Sequence, residues 1–430
     1  MRYGLVVLVL VACSDSDDGR VAGEVGLCDD GRDNDGDQFV DCADQDCWGD
    51  ATCGDAVGET SDVGAETSET VGPGETSADT TAEVTPEVDG AVEVDGTPDT
   101  TSTCDPCAAK GSVKGRVCAP SEHVFVSDAR VWVEGVGCDG EAFTIETTSG
   151  ADGTYYLLDV PCGTHDLKIE KGSFSADHRV TIVPGELLDA TGSANKLCFN
   201  GATTIAVLAG SWDDMAGLLD QLGLDYDFFN DAGDAGADGM LVELLSDPER
   251  LANYDIVFAN CGGTIGWLPQ DEPQVMANIK DFVLNGGSLY MSDYAWVLGE
   301  WSFPDKVDWQ DDDDPSGMGQ SDSPQVIPSG TKVTANIVDG ALAGYLGKNT
   351  IAIEFDQGPQ IAAVSVANGA FAHVTGNINV PLELALQNAP LALSYVPATG
   401  AGRVIYTNFH NDAQTTSDML TILNYFVFTL

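Results

Sequence analysis

Residues 54–103 hold thirteen acidic side chains, no basic one and no aromatic, spread among Thr, Ser, Gly and Pro. Such a stretch cannot bury enough apolar surface to offset the entropy of ordering it, so it reads as a disordered linker. The rest of the chain must therefore fold as separate pieces on either side. Fully extended, these residues span at most about 170 Å, and like charges keep the chain open. They serve either as a stalk or as an acidic interaction tail. The same imbalance runs through the whole sequence, where 17 basic and 70 acidic side chains give a formal net charge of −53 over 430 residues. A surface this acidic repels phosphate backbones, which excludes nucleic acid as a partner. With 43% apolar residues, the remainder can still bury cores.

Cysteines mark the pieces. Twelve in one chain suggest an oxidising compartment. Beyond Cys13, four lie between 28 and 53 (Cys28, Cys42, Cys47, Cys53) and six between 104 and 198 (Cys104, Cys107, Cys118, Cys138, Cys162, Cys198). Even counts fit two separately closed disulfide modules, with pairings that sequence does not reveal. Cys261 stands alone after them.

Met1-Arg2 precedes an apolar run from Leu5 to Ala12 and then Cys13, the pattern of a secretory signal. Leu10-Val11-Ala12-Cys13 resembles the bacterial lipobox. The resemblance implies a signal peptide over 1–12, lipidation of Cys13 and a tether over 13–23. With Ser14 next, it also implies sorting to the outer membrane or cell surface. Several acyl chains hold a protein stably on a bilayer. The other reading is an ordinary signal peptide with an incidental cysteine.

Residues 24–53 place Asp33, Asp35, Asp37, Asp41 and Asp44 at relative positions 1, 3, 5, 9 and 12. Calcium takes six to eight oxygens, and alternating carboxylates in a tight loop present them around one ion. The segment resembles the aspartate-rich, cysteine-flanked repeats of secreted bacterial proteins, which are similar to thrombospondin type 3 calcium repeats. Gln38 replaces their glycine at position 6. Calcium is the expected cofactor, with a disulfide-stapled acidic loop as the alternative. No organic cofactor is expected.

Residues 104–198 show strand signals throughout, at 111–118, 129–134, 143–147, 154–160, 164–170 and 178–183. About seven short strands argue for an all-β sandwich. Gly111-Ser112-Val113-Lys114-Gly115-Arg116-Val117, Ala129-Arg130-Val131-Trp132-Val133 and Val160-Pro161-Cys162-Gly163 resemble the carboxypeptidase regulatory-like, transthyretin-like domains. That implies a non-catalytic accessory or adhesive domain. Trp132, Tyr155 and Tyr156 are its candidates for stacking on a sugar, with Trp132 and one tyrosine expected in the core.

Residues 199–430 alternate apolar strands with helical stretches, which predicts a flavodoxin-like α/β domain with a parallel sheet and helices on both faces. In such sheets the working site lies beyond the carboxyl ends of the strands. Ser211-Trp212, Asn260-Cys261, Asp293-Tyr294 and Phe409-His410 then share one rim. Tyr254-Asp255-Ile256-Val257-Phe258, Phe282 to Leu289 around Gly286-Gly287, and Gly402 to His410 resemble the class I glutamine amidotransferase-like superfamily, including its trehalose-utilisation-like branch. Enzymes of that family carry a cysteine on a tight turn and a histidine base. His410 matches the histidine. The nucleophile position falls at Asp293, with no cysteine and without the glycines that ease the turn, so glutamine hydrolysis is not expected.

Two hydrolytic pairings remain as candidates, Cys261 with His410 and Asp293 with His410. Beyond them, Trp301, Phe303, Trp309 and Asp311 to Asp314 form a long insertion beside the rim. With Trp296 it is a candidate ligand platform, or else a solvated loop with its aromatics packed down. The leading expectation is a surface-displayed lipoprotein that binds a glycan or a surface protein. A hydrolase of a glycan or amide, and a purely structural envelope spacer, are the alternatives.

Overall fold

The computed structural model describes residues 104–430 apart from 107, 138, 191–196, 232, 234–236, 263, 267, 269–271, 310–324, 356–359, 380–384 and 412–415. Cys13, the aspartates Asp33, Asp35, Asp37, Asp41 and Asp44, the acidic linker, Cys107, Cys138 and Asp311 to Asp314 lie outside the described residues.

More buried side chains alternate with exposed ones along most of the first eight strands, so one face of each sheet turns toward a core. The strands are β1 (Lys110–Cys118), β2 (Arg130–Val136), β3 (Ala142–Thr148), β4 (Thr154–Pro161), β5 (Gly163–Lys171), β6 (Phe174–Ile182), β7 (Leu187–Ala190) and β8 (Leu197–Cys198). One sheet has the order β4-β1-β7, with β8 also beside β1, and the other has the order β3-β2-β5-β6. Their inner faces share a core that includes Val113, Tyr155 and Leu157 from the first sheet and Val131, Leu167 and Phe174 from the second. Disulfides Cys104–Cys162 and Cys118–Cys198 pair four of the six cysteines of this segment. Trp132 departs from its expected place in the core. It shares the outer face of β2 with Arg130, whose guanidinium lies 4.3 Å from the ring centroid. Tyr155 is the core tyrosine, and Tyr156 points out at 54% exposure.

The second part of the chain is built on β9 (Ile205–Leu208), β10 (Asp227–Asn230), β11 (Gly239–Met240), β12 (Ile256–Ala259) and β13 (Ser288–Ser292). Then come β14 (Val307–Asp308), β15 (Gln325–Ile327), β16 (Thr331–Ile337), β17 (Thr350–Phe355), β18 (Gln360–Ala362) and β19 (Ser365–Val366). β20 (Phe371–Ile378), β21 (Leu386–Tyr395) and β22 (Val404–Thr407) complete the set. Ten of them form one sheet in the order β11-β10-β9-β12-β13-β22-β21-β20-β16-β17. β14 pairs with β19 and β15 with β18 as small ribbons.

From β11 to β22 every pairing is parallel, as the alternation of strands and helices predicts. From β21 to β17 every pairing is antiparallel, so the all-parallel expectation fails for this wing. The reason lies in the residues. Strands β9, β12 and β13 are apolar on both faces and need covering layers, whereas β16 and β17 alternate buried with exposed side chains. An antiparallel wing tolerates one wet face.

Helices among the described residues include α1 (Met215–Leu222), α2 (Leu241–Ser246), α3 (Pro248–Leu251), α4 (Pro273–Leu284), α5 (Trp296–Ser302), α6 (Gly340–Leu346) and α7 (Ser417–Val427). Asp214 caps α1 by accepting from the Gly217 N–H, and Gly223 ends it at a φ of 70°. α4 starts on a proline and buries Val275, Met276, Ile279, Phe282 and Val283, one helical stripe.

The sandwich and the ten-stranded sheet belong to one compact unit. Phe428, just past α7, meets Phe174 at 4.9 Å and Phe199 at 5.7 Å between ring centroids. Ser173 Oγ donates to the Leu430 carbonyl at 2.9 Å. Gly172 sits at a φ of 56°, and a Cβ there would lie 2.9 Å from the Phe428 carbonyl oxygen, so the close approach requires glycine.

Lys171 is enclosed at this seam. Its ammonium donates to the Ser127 carbonyl at 2.6 Å, lies 3.8 Å from Asp128 and stacks over Tyr425. Burial outweighs the Asp128 attraction and lowers its pKa from 10.5 to about 8. Between those values the unfolded chain holds a proton that the folded chain has released, so stability rises with pH there. The rise is on the order of 3 kcal/mol at most. Lys171→Met should remove that slope, which urea midpoints measured from pH 7.5 to 10.5 on both proteins would show.

Candidate functional site

Strands β9, β12, β13 and β22 are neighbours, and their carboxyl ends deliver the rim residues to one place. Trp212 and Asp213 follow β9, Cys261 follows β12, Asp293 follows β13 and His410 follows β22. All three residues nominated for chemistry therefore converge. Cys261 Sγ donates to Asp293 Oδ2 at 3.5 Å, and His410 Nε2 lies 3.1 Å from the same oxygen. The other oxygen, Oδ1, accepts the Ile361 N–H of β18 at 2.6 Å.

Asp293 makes the tight turn itself. Its φ of 41° is in the left-handed region, and a 3₁₀ turn over Asp293–Ala295 leads straight into α5. The absence of glycines does not prevent this strand–turn–helix elbow. Aspartate tolerates the left-handed region better than most residues, at a cost of order 1 kcal/mol. The elbow is thus present, with a carboxylate on its turn.

The site is closed. Cys261 is 0%, Asp293 1% and His410 2% exposed. Burial pushes the Asp293 carboxyl above the usual carboxylate range, against the pull of His410, the Ile361 N–H and Cys261. Trp212 stacks on His410 with ring centroids 6.4 Å apart. Tyr406 Oη donates to the Ile361 carbonyl at 2.9 Å, which holds β18 over the elbow.

Asp213 was not among the residues singled out from sequence, and it ties the rim together. Its Oδ2 accepts from Ser292 Oγ at 2.5 Å and from the Cys261 N–H at 3.0 Å, and its Oδ1 accepts from the Asn411 N–H at 3.0 Å. One signal was available: Asp213 immediately precedes the aspartate that caps α1, so only one of the pair is needed as a cap. Gly210 fits beside it because a Cβ there would run into the Cys261 carbonyl oxygen.

The tryptophan platform is not formed. Trp309 is 1% exposed and packs against Trp296 at 5.2 Å and Tyr406 at 4.8 Å between ring centroids. Trp296 and Trp301 are half-buried against the same core. The insertion folds its aromatics inward because β14 pairs with β19 and draws Trp309 under the rim. The space beside it, lined by Met291, Glu300, Tyr395 and Tyr406, does not admit a water. A more open groove of about 460 Å³ lies between α1 and β10, lined by Asp220, Asp225, Tyr226 and Asp238, and includes none of the rim residues.

His373 has a structural role. Its Nδ1 lies 2.6 Å from Asp339 Oδ2 and its Nε2 2.8 Å from Ser394 Oγ. The order resembles a hydrolytic triad, but Ser394 lies within β21 rather than on an exposed turn and is buried. Asp339 also caps α6, and its bond to His373 holds its carboxyl below the usual range. The row fastens α6 to the sheet.

No protein-family model and no curated protein matches the chain. Among solved structures it is similar to a glutamine amidotransferase from Thermotoga maritima, at 7% identity over 48% of this chain and 75% of that one, with a TM-score of 0.30. It is also similar to a putative protease I from Bacteroides thetaiotaomicron, at 16% identity over 25% of this chain and 72% of that one, with a TM-score of 0.21. A β-galactosidase from Rahnella sp. R3 matches at 14% identity and a TM-score of 0.30, over 52% of this chain and only 31% of that enzyme's length. Likeness this weak says nothing of activity, which has to come from the geometry of the rim.

Proposed function

We propose that the chain is a surface-displayed, lipid-tethered binding protein whose α/β sheet carries a closed, non-hydrolytic elbow. One observation carries the non-catalytic part. The residue at the elbow is Asp293, and its carboxylate is engaged by the Ile361 N–H, His410 and Cys261 in a site shut from solvent. A nucleophile or general base must reach a substrate atom, and no group here does. In this reading Cys13 anchors the chain in the outer membrane, calcium on the Asp33–Asp44 loop stiffens its base, and the acidic stalk extends the folded unit outward.

Binding then falls to the sandwich. Of the three aromatics nominated for stacking, Tyr155 is in the core and Trp132 lies beneath Arg130. Tyr156 remains open beside exposed Leu158 on the outer face of β4, a surface suited to stacking on a glycan. On a glycan array the full chain should bind, and Tyr156→Ala should weaken that binding about tenfold, or 1.4 kcal/mol, with no change in melting temperature. Release of ammonia from amides, or of sugar from glycans, by the wild type and not by Asp293→Ala would overturn the reading in favour of a hydrolase.

A further inference from the structure

The closed rim places three different metal-ligating groups on one point. Cys261 Sγ, Asp293 Oδ2 and His410 Nε2 lie within 4.8 Å of one another, each from the end of a different strand. We propose that this cluster is a binding site for a borderline-soft divalent ion of the zinc class. The proposal does not depend on whether the sandwich binds a glycan.

Three properties of the cluster fit such an ion. The first is geometric. A tetrahedral ion with bonds of about 2.3 Å to sulfur and about 2.0 Å to oxygen or nitrogen sets its ligand atoms about 3.5 Å apart for S···O and about 3.3 Å for N···O. The observed separations are 3.5 Å and 3.1 Å. The second is charge. A divalent ion held by one thiolate, one carboxylate and one neutral imidazole is electroneutral, and an electroneutral cluster is the arrangement a buried site tolerates best. The third is ligand chemistry, since thiolate with imidazole selects zinc over magnesium or calcium.

The surroundings suit such a role. Asp213 and Ser292 both accept the Cys261 N–H and fix the turn that aims the thiol, and Trp212 covers the imidazole. Partners of this kind orient ligands at metal centres. Cys261 is a buried cysteine outside the two disulfides of this unit. Coordination would keep it as a thiolate. Among the described residues no fourth sulfur, imidazole or carboxylate joins the cluster. On binding, the thiol proton leaves to solvent.

The test uses the full chain, purified without chelator. Elemental analysis should find about one equivalent more zinc in the wild type than in Cys261→Ser. Replacing zinc with cobalt(II) should give a thiolate-to-cobalt charge-transfer band and tetrahedral visible bands that Cys261→Ser lacks. The thiolate band separates this site from any ion on the N-terminal aspartates, which offer only oxygen. If Cys261→Ser does not fold, Asp293→Asn and His410→Asn serve in its place, and each should lose the zinc and change the thiolate-to-cobalt band. Equal zinc in wild type and variant, or a cobalt spectrum without a thiolate band, would overturn the proposal.

Discussion

Trp309→Ala should lower stability by about 3–5 kcal/mol, the cost of emptying a buried aromatic site. The ring is 1% exposed and lies against Trp296 and Tyr406, in a region already packed too tightly to admit water. The void would open directly beneath the strand ends that carry Asp293 and His410, so the loss should also loosen the rim. Trp309→Phe separates packing from polarity. The indole N–H has no hydrogen-bond partner among the described residues, so phenylalanine gives up volume and no bond, and should recover more than half of the loss. Urea denaturation of the three proteins reads both effects. A ligand platform would behave in the opposite way, with Trp309→Ala reducing binding while the midpoint stayed within about 1 kcal/mol of wild type. That outcome would return the tryptophans to the surface.

Much of this rim was legible in the residues. Ile205-Ala206-Val207-Leu208, Ile256-Val257-Phe258-Ala259 and Val404-Ile405-Tyr406-Thr407 are short apolar runs that only a doubly covered parallel sheet explains, and each leads into polar residues. The rule that sites lie beyond such strand ends was then enough to bring Cys261, Asp293 and His410 together across as many as 149 positions of sequence. Accessibility could not be read in the same way. Whether a rim is open depends on what crosses it, and here β18 is fixed through a backbone N–H and carbonyl, groups that every residue carries. The placement of Trp309 depends likewise on a two-residue ribbon with β19, too short to leave a pattern.

The antiparallel wing was missed for a related reason. Thr350–Phe355 and Leu391–Val396 have the β-branched and apolar residues of strands, but a strand's direction is set by its partners, and nothing in Thr331–Ile337 or Phe371–Ile378 marks which neighbour each pairs with. Trp132 is the reverse case. Strand alternation places it on the face of Arg130 and Glu134, and the expectation of a core position followed residue type over period.

Closure of the elbow shows itself in the reactivity of the Cys261 thiol. In the folded chain, maleimide or iodoacetamide should reach Cys261 only through opening of the structure. Open forms of folded proteins make up about 10⁻³ to 10⁻⁶ of molecules, so labelling should run at least about 1,000-fold slower than in denaturant. Peptide mapping follows Cys261 apart from the other cysteines, and a chelator added throughout removes protection by any bound ion. A closed elbow gives slow labelling with and without chelator, and fast labelling once urea unfolds the sheet. Stoichiometric labelling of the folded chain within minutes would contradict it, since a thiol that meets an electrophile so readily sits in an open site beside His410.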